Sequence, residues 1–476
     1  MEIPGLSPAE RRVLRAFPSG AYVDFRVAGD AADAGAGPER TLRASVLRRV
    51  LLAGTADDGE VAALRVLGAR VSGALDLRYA RIEHPVVLAD CHFDEPPALY
   101  GARLRQLNLS RSTLPELPAA TLQVEGVLRL TDCTVAGAVT LGGAKLGNAL
   151  FCERADIGSL RLDQAFIDDD VCAQGLVTHG ELHMDGATVS GEIDLRDAVL
   201  TAPGQCALTA ENIGVGANLR AEGARITGRV ELRGARVPGQ VGFAGARLSN
   251  PGGVALRASS STIGELWLRP AERIEGVVNL RRARIEVLNA RPDAWPETVR
   301  LDGLEYTSLN PRLPADERLA LLRRDEEGHV PHAYEQLAAS YRRVGDDAAA
   351  RAVQLARQRR HRATLPWYAR IWGLLQDVTV GYGFRPLRAA AWLIALLAAG
   401  TAVYALHHPA PLKPGEAPYF SAFFYTLDLL LPIIDLGQQG AFKPHGGYQL
   451  LSYVLILAGW ILATTTLTGI TRALSR

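Results

Sequence analysis

Between Leu128 and Ile167 the apolar residues fall into two columns. One reads Leu130, Val135, Leu141, Leu146, Cys152, Ile157, Leu162 and Ile167, in steps of five or six residues. The other lies two residues ahead: Leu128, Cys133, Val139, Ala144, Leu150, Ala155, Leu160 and Ala165. Almost everything between is polar, charged or Gly. A helix would place apolar residues at steps of three and four, and a long strand would alternate strictly. Neither template fits. A chain that turns a corner every five or six residues does fit. Each side is then one short strand with two inward side chains, two residues apart. Four sides of about 5.5 residues make a coil of about 22, a typical solenoid repeat.

The pattern returns downstream. Ile226, Leu232, Val237, Phe243 and Leu248 form one column, and Ala224, Val230, Ala235, Val241 and Ala246 the other. Small residues alternating with larger ones fill a narrow interior without voids. Gly191, Gly223, Gly228, Gly234, Gly239 and Gly245 fall at the corners, where Gly can supply positive φ. The units Leu75-Asp-Leu77-Arg-Tyr and Ala80-Arg-Ile82-Glu-His resemble the pentapeptide-repeat class of right-handed quadrilateral β-solenoids. The frequent six-residue step and the lack of a strict Ala or Leu mark a degenerate form. The expected fold is mainly β: a solenoid over 67–311 of about eleven coils, about 50 Å long at an inter-strand spacing of ~4.8 Å. The register weakens at 84–125 and 199–215, where protruding loops are expected.

Residues 1–66 read as a helical cap. Ser7-Pro8-Ala9-Glu10 is a capping-box start, and Thr41 to Leu52 has the pattern of an amphipathic helix. A solenoid needs both ends covered. Residues 312–364 read as a second cap, a helical hairpin with a turn at Gly345-Asp-Asp.

The last segment, 365–476, differs in kind. Arg357, Arg359, Arg360, Arg362, Arg370, Arg385 and Arg388 face only Asp377 across 357–388. Trp367, Tyr368 and Trp372 beside Arg370 suit an interfacial helix over 365–377, anchored at a membrane boundary. Residues 388–406 and 448–471 are candidate spans. Arginines before the first span and Arg472 and Arg476 after the second place both termini in the cytoplasm of a bacterial cell, at its inner membrane. Between the spans, 419–434 is too apolar for a loop and too short to cross, so it reads as a re-entrant or interfacial helix. Asp428 within it, and Asp435 just after, are the candidate polar sites at membrane depth, where a carboxylate needs a cavity or a partner. Gly459 with Ala463, and Thr465 with Gly469, are small residues four apart that favour close helix packing, within the chain or in a homo-oligomer. Ala391, Ala395 and Ala399 do the same in the first span.

Composition narrows the chemistry. The net charge is +1, so no bulk field points to nucleic acid. The five cysteines, Cys91, Cys133, Cys152, Cys172 and Cys206, lie in the solenoid without a C-x-x-C pair and read as small buried hydrophobes. Arg220, Arg225, Arg229, Arg233, Arg236 and Arg247 lie outside the columns. They read as a solvated face balanced by Glu222 and Glu231, or else as a basic stripe for an acidic partner or lipid headgroups. No P-loop, dinucleotide fingerprint, H-E-x-x-H or G-x-S-x-G is present. His407, His408 and His445 lack a full ligand set. No cofactor, metal or catalytic residue is expected. Thr379-Val380-Gly381-Tyr382-Gly383 matches a potassium-channel filter letter for letter. It precedes both spans and follows a basic segment, so it reads as a turn.

Tyr334-Glu-Gln-Leu337, Thr379 to Gly383 with Arg385-Pro386, Leu431-Pro432 with Asp435-Leu436-Gly437, and Gly459-Trp460 together resemble a bacterial family commonly labelled "membrane-associated oxidoreductase". That resemblance implies a redox role, for which the residues offer no nicotinamide, flavin or thiol site. The residues point first to a membrane-anchored, non-catalytic scaffold whose solenoid binds a cytoplasmic protein or ligand. The next reading is an oligomeric pore-like protein gated by that solenoid.

Overall fold

The structure is a computed structural model that describes residues 5–26, 37–53, 56, 60–328, 330–364, 366, 386–413, 415, 417–431 and 434–474, without side chains at 364, 386–389 and 463–474. The chain divides into two compact units, Met1–Ser340 and Tyr341–Arg476.

The first unit is mainly β, a parallel solenoid of about 11 turns. Each turn carries four short strand stations. In one turn these are Gln123–Val124, Leu128–Arg129 and the two ends of the strand Thr134–Thr140. The next turn repeats them, Gln123 beside Lys145 and Leu128 beside Leu150. Every residue of the two columns between Leu128 and Ile167 is at most 1% exposed. All ten downstream column residues are buried as well, Phe243 completely. Two inward side chains per side give an apolar interior, and the strand stations bond to their counterparts on neighbouring turns. The burial that drives this is worth about 25 cal/mol per Å² of apolar surface.

At the corners the sequence reading needs correction. A left-handed residue recurs there, third in a four-residue turn such as Leu130 to Cys133, where the Cys133 amide donates to the Leu130 carbonyl at 3.1 Å. Gly223, Gly234 and Gly245 fill that role, but Tyr79, Arg111, Asp132, Arg154 and Arg282 fill it too. Gly191 and Gly239 have ordinary φ. They are small because the turn before them passes close: a Cβ on Gly239 would lie 2.5 Å from the Ala217 carbonyl oxygen.

The expected loops at 84–125 are absent, since partners there stay 20 to 22 residues apart, as in Arg103 beside Gln123 and Arg81 beside Arg103. The prolines that disturbed the pattern sit mostly at corners, where no ladder donor is needed. The 199–215 irregularity is real but is a bulge. Val199–Thr209 runs extended, with a register shift between Thr201 and Cys206. Arg247–Arg257 repeats the same bulge two turns on.

The N-terminal cap is mixed rather than helical. Ser7 and Glu10 form the capping box of α1 (Pro8–Ala16). Thr41–Arg43, expected as helix, is a strand beside Arg70–Ser72, and α2 starts only at Ala44 and ends at Ala53. Tyr22–Asp24 likewise pairs with the strand Leu64–Leu67. The cap thus supplies the first turn's edges. It is pinned by Glu10, 1% exposed, whose carboxylate accepts from the Arg43 side chain at 2.7 Å. Burial opposes ionisation of Glu10, but bonds from Arg43 and from the Ser7 and Arg43 amides outweigh it and hold the carboxyl below its ordinary value.

The opposite end is covered by α3 (Ala315–Leu322) and α4 (Pro331–Arg343). Buried Arg318 donates to the carbonyls of Ala290 and Pro311, and Gln336 to that of Tyr306. The hairpin expected as this cap is divided: Gly345 ends α4 in a left-handed turn, and α5 (Asp347–Thr364) belongs to the second unit.

In the second unit α6 (Pro386–Leu406), α7 (Ala422–Leu430) and α8 (Gly447–Leu474) pack on one another. Their core is Tyr404, Tyr425, Leu429, Leu430, Phe442 and Leu455. The stretches expected to span fall within α6 and α8, and the expected re-entrant segment contains α7. Among the described residues no helix is long and apolar enough to cross a membrane.

Candidate functional site

Parallel stacking puts one outward residue per turn in line along each side. On one side the line runs Arg65, Val87, Asn108, Arg129, Phe151, Cys172 and Asp194. Its companion line, two residues on, holds Leu67, Ala89, Ser110, Thr131 and Glu153. Short side chains from Val87 to Thr131 leave a trough of about 570 Å³. Longer ones bound it: Arg65 over the Tyr22 ring at 5.3 Å, and Arg129 over the Phe151 ring at 3.9 Å. The adjoining corner carries a charge ladder of left-handed residues. Arg111 holds both oxygens of Asp90 at 2.6 and 2.7 Å, and Arg154 holds both of Asp132 at 2.7 and 2.8 Å. Arg111, Asp132 and Arg154 line the trough with Tyr22, Leu67 and Arg129.

The polar groups in the trough differ in how far they are satisfied. The Ser110 hydroxyl and amide both donate to Asn108 Oδ1, at 2.6 and 2.9 Å. The Thr131 hydroxyl donates to Glu153 at 2.6 Å. Arg129 meets no carboxylate among the described residues, and the Asn108 amide nitrogen donates to no described acceptor. These two residues stand in register on adjacent turns. Sequence reading passed over them because it followed the inward columns. Outward residues at steps of 21 and 22, Asn108, Arg129 and Phe151, were the available signal.

The six arginines of the downstream face are largely neutralised. Arg220 meets Glu222 at 3.6 Å, Arg229 meets Glu231 at 3.3 Å, Arg247 meets Glu272 at 2.6 Å, and Arg233 pairs with Glu211. Glu231 is buried, which raises its carboxyl above the ordinary value even with Arg257 and Arg229 beside it. The five cysteines are free thiols. Burial pushes Cys91 and Cys133 up to about 12, Cys152 higher still and half-buried Cys172 to about 11, which leaves these thiols unreactive at neutral pH.

In the second unit the structure separates the two aspartates. Asp428 is 4% exposed. Its carboxylate accepts from the amides of Leu436, Gln438 and Gln439 at 2.8, 2.9 and 2.7 Å, and so holds the loop after α7 in place. Asp435 is exposed and, among the described residues, accepts from Gly437 two residues on, a local turn. Gly459 does permit close packing, but against α7: a Cβ there would lie 2.3 Å from the Leu430 carbonyl oxygen. Gly400, not singled out from the sequence, does the same for α6, its Cβ direction meeting Thr426 at 2.4 Å. Ala463, Thr465 and Gly469 lie on α8 beyond the described side chains. Trp367, Tyr368, Arg370, Trp372 and the Thr379 to Gly383 motif lie outside the described residues. His407 stacks on Tyr448 at 4.6 Å and His408 meets Phe420 edge-on. Among the described residues no cluster of His, Cys, Asp or Glu could hold a metal ion.

No family model, no curated protein and no solved structure matches the chain.

Proposed function

We propose that the chain is a binding scaffold: a β-solenoid that presents its outer face to a ligand or partner, tethered at the inner face of a bacterial membrane by α6 to α8. The observation that carries the tether is the side-chain distribution on those helices. Leu450, Tyr453, Val454, Leu457 and Trp460 of α8, Trp392 and Ile394 of α6, and Phe423 and Phe424 of α7 are all 44% exposed or more. Water is a poor solvent for so much contiguous apolar surface, and lipid is a good one. The polar groups are turned inward instead: Asp428 is fully bonded, and the Tyr404 hydroxyl donates to the Tyr448 carbonyl at 2.9 Å. Over its described side chains α6 falls short of a span, but its full backbone of 21 residues rises about 32 Å at about 1.5 Å per residue, against a hydrocarbon core of about 30 Å. The arginines flanking both helices favour cytoplasmic termini.

The test is carbonate extraction of bacterial membranes that contain the full chain, followed by labelling with an impermeant maleimide at cysteines placed at Lys413 and Ser475. Recovery in the membrane pellet, with only the Lys413 site labelled from outside the inner membrane, supports the tether. Release into the carbonate supernatant, or labelling of both sites from one side, overturns it.

A further inference from the structure

We propose that the trough at Asn108 and Arg129 is a binding site for a small, soluble organic anion, with a carboxylate or phosphate seated against Arg129. The inference rests on the solenoid being the binding part of the chain and is independent of the tether. Three observations point to this ligand class. First, the Arg129 guanidinium carbon lies 3.9 Å from the Phe151 ring centroid. Contact with the ring restrains the head group, and its N–H donors suit capture of two oxygens of one anion. Second, the acids around it are engaged elsewhere: Asp132 by Arg154, Asp90 by Arg111, and Glu153 by the Thr131 hydroxyl. Arg129 itself makes no ion pair among the described residues, so an incoming anion displaces none. Third, the Asn108 side chain is oriented by Ser110, which occupies its oxygen and leaves its NH₂ as donor. Asn108 and Arg129 are ladder neighbours, about 4.8 Å apart along the solenoid, so their donors converge on one anionic group. The volume of about 570 Å³ suits a ligand of drug-like size. Leu67, Val87 and Ala89 offer an apolar bed for its body.

The test uses the full chain in detergent and ligand-observed saturation-transfer NMR. The probes are phenyl phosphate and benzoate, with benzyl alcohol as the uncharged control. Wild type should transfer saturation to at least one anion and not to the alcohol. Arg129→Met keeps an unbranched side chain over Phe151 and should lose the signal at least tenfold. Arg284→Met, which breaks an exposed pair with Glu305 elsewhere on the solenoid, should not change it. A variant-free arm follows hydrogen exchange of wild type: the bound anion should slow amides within 105–133 and not those within 214–268. Transfer to the alcohol equal to that of the anions, a signal retained in Arg129→Met, uniform or absent protection, or no binding of either anion would overturn the site. Loss of membrane attachment would leave these readouts unchanged, so the two proposals fail separately.

Discussion

Gly214 and Gly216 flank Val215 on one side of a turn, and they should respond in opposite ways to the same added methyl. Neither has positive φ. A Cβ on Gly214 would meet nothing within 4 Å, whereas one on Gly216 would lie 1.9 Å from the Ser190 carbonyl oxygen of the previous turn. An ordinary carbon–oxygen contact is about 3.3 Å, so Gly216→Ala must open the stack by more than an ångström. The bonds beside it, Gly216 N to Val189 O at 2.8 Å and Ala217 N to Gly191 O at 3.0 Å, cannot follow that shift. Overpacking costs about 1–3 kcal/mol and each of the two lost bonds about 1 more, so a loss of about 3–5 kcal/mol is expected. Hydrogen exchange read by mass spectrometry should show amides of 187–220 exchanging about 150-fold to 5,000-fold faster. Gly214→Ala should slow the same amides by up to about fivefold, through the lower entropy of the unfolded chain. Equal effects from the two substitutions would mean that close approach between turns is not what selects Gly here.

Other perturbations follow from the same geometry. Phe243→Ala empties the solenoid interior and should cost about 3–5 kcal/mol in urea denaturation of the full chain. Asp428→Leu strands three backbone donors, each worth about 1–3 kcal/mol when left unpaired, and should expose 434–440 to protease. Asp435→Ala should leave that cleavage unchanged. The Glu10 carboxyl sits below its ordinary value, so its contribution is full above the unfolded value near 4.5 and is lost as pH falls through the lower folded value. Amides of 8–24 and 41–53 should therefore lose protection in acid, and Glu10→Gln should remove that step. Protection that instead fell as pH rose from 5 to 8 would contradict the assignment.

The inward columns were legible because burial repeats with the backbone. Val135, Ile157 and Val237 are apolar for one reason, and the spacing exposes it. Positions set by contact between turns were harder to read. Gly239 looked like a corner glycine, and only its distance to Ala217 shows why a side chain is excluded. Arg154 and Tyr79 occupy left-handed corners with residue types that carry no such preference, because the turns on either side impose the conformation. Thr41–Arg43 reads as helix from its own pattern, yet the open edge at Arg70–Ser72 recruits it as strand. Asp428 was recognisable as costly, but that its partners would be amides eight to eleven residues later depended on how the chain folds back. Arg129 was missed because nothing in its local sequence sets it apart. Its neighbours in space are one turn away.

The two bulges, at Thr201 to Leu208 and at Ser249 to Leu256, each take up four surplus residues without disturbing the stations on either side. Pro203-Gly204 and Pro251-Gly252 lie at their outer ends, with both glycines left-handed and nothing near their Cβ directions. A rod built this way can be lengthened sideways at a chosen edge while its repeat is kept. Foreign peptides spliced between Gly204 and Gln205, or between Gly252 and Gly253, should be displayed two turns apart, roughly 10 Å, on an unaltered frame.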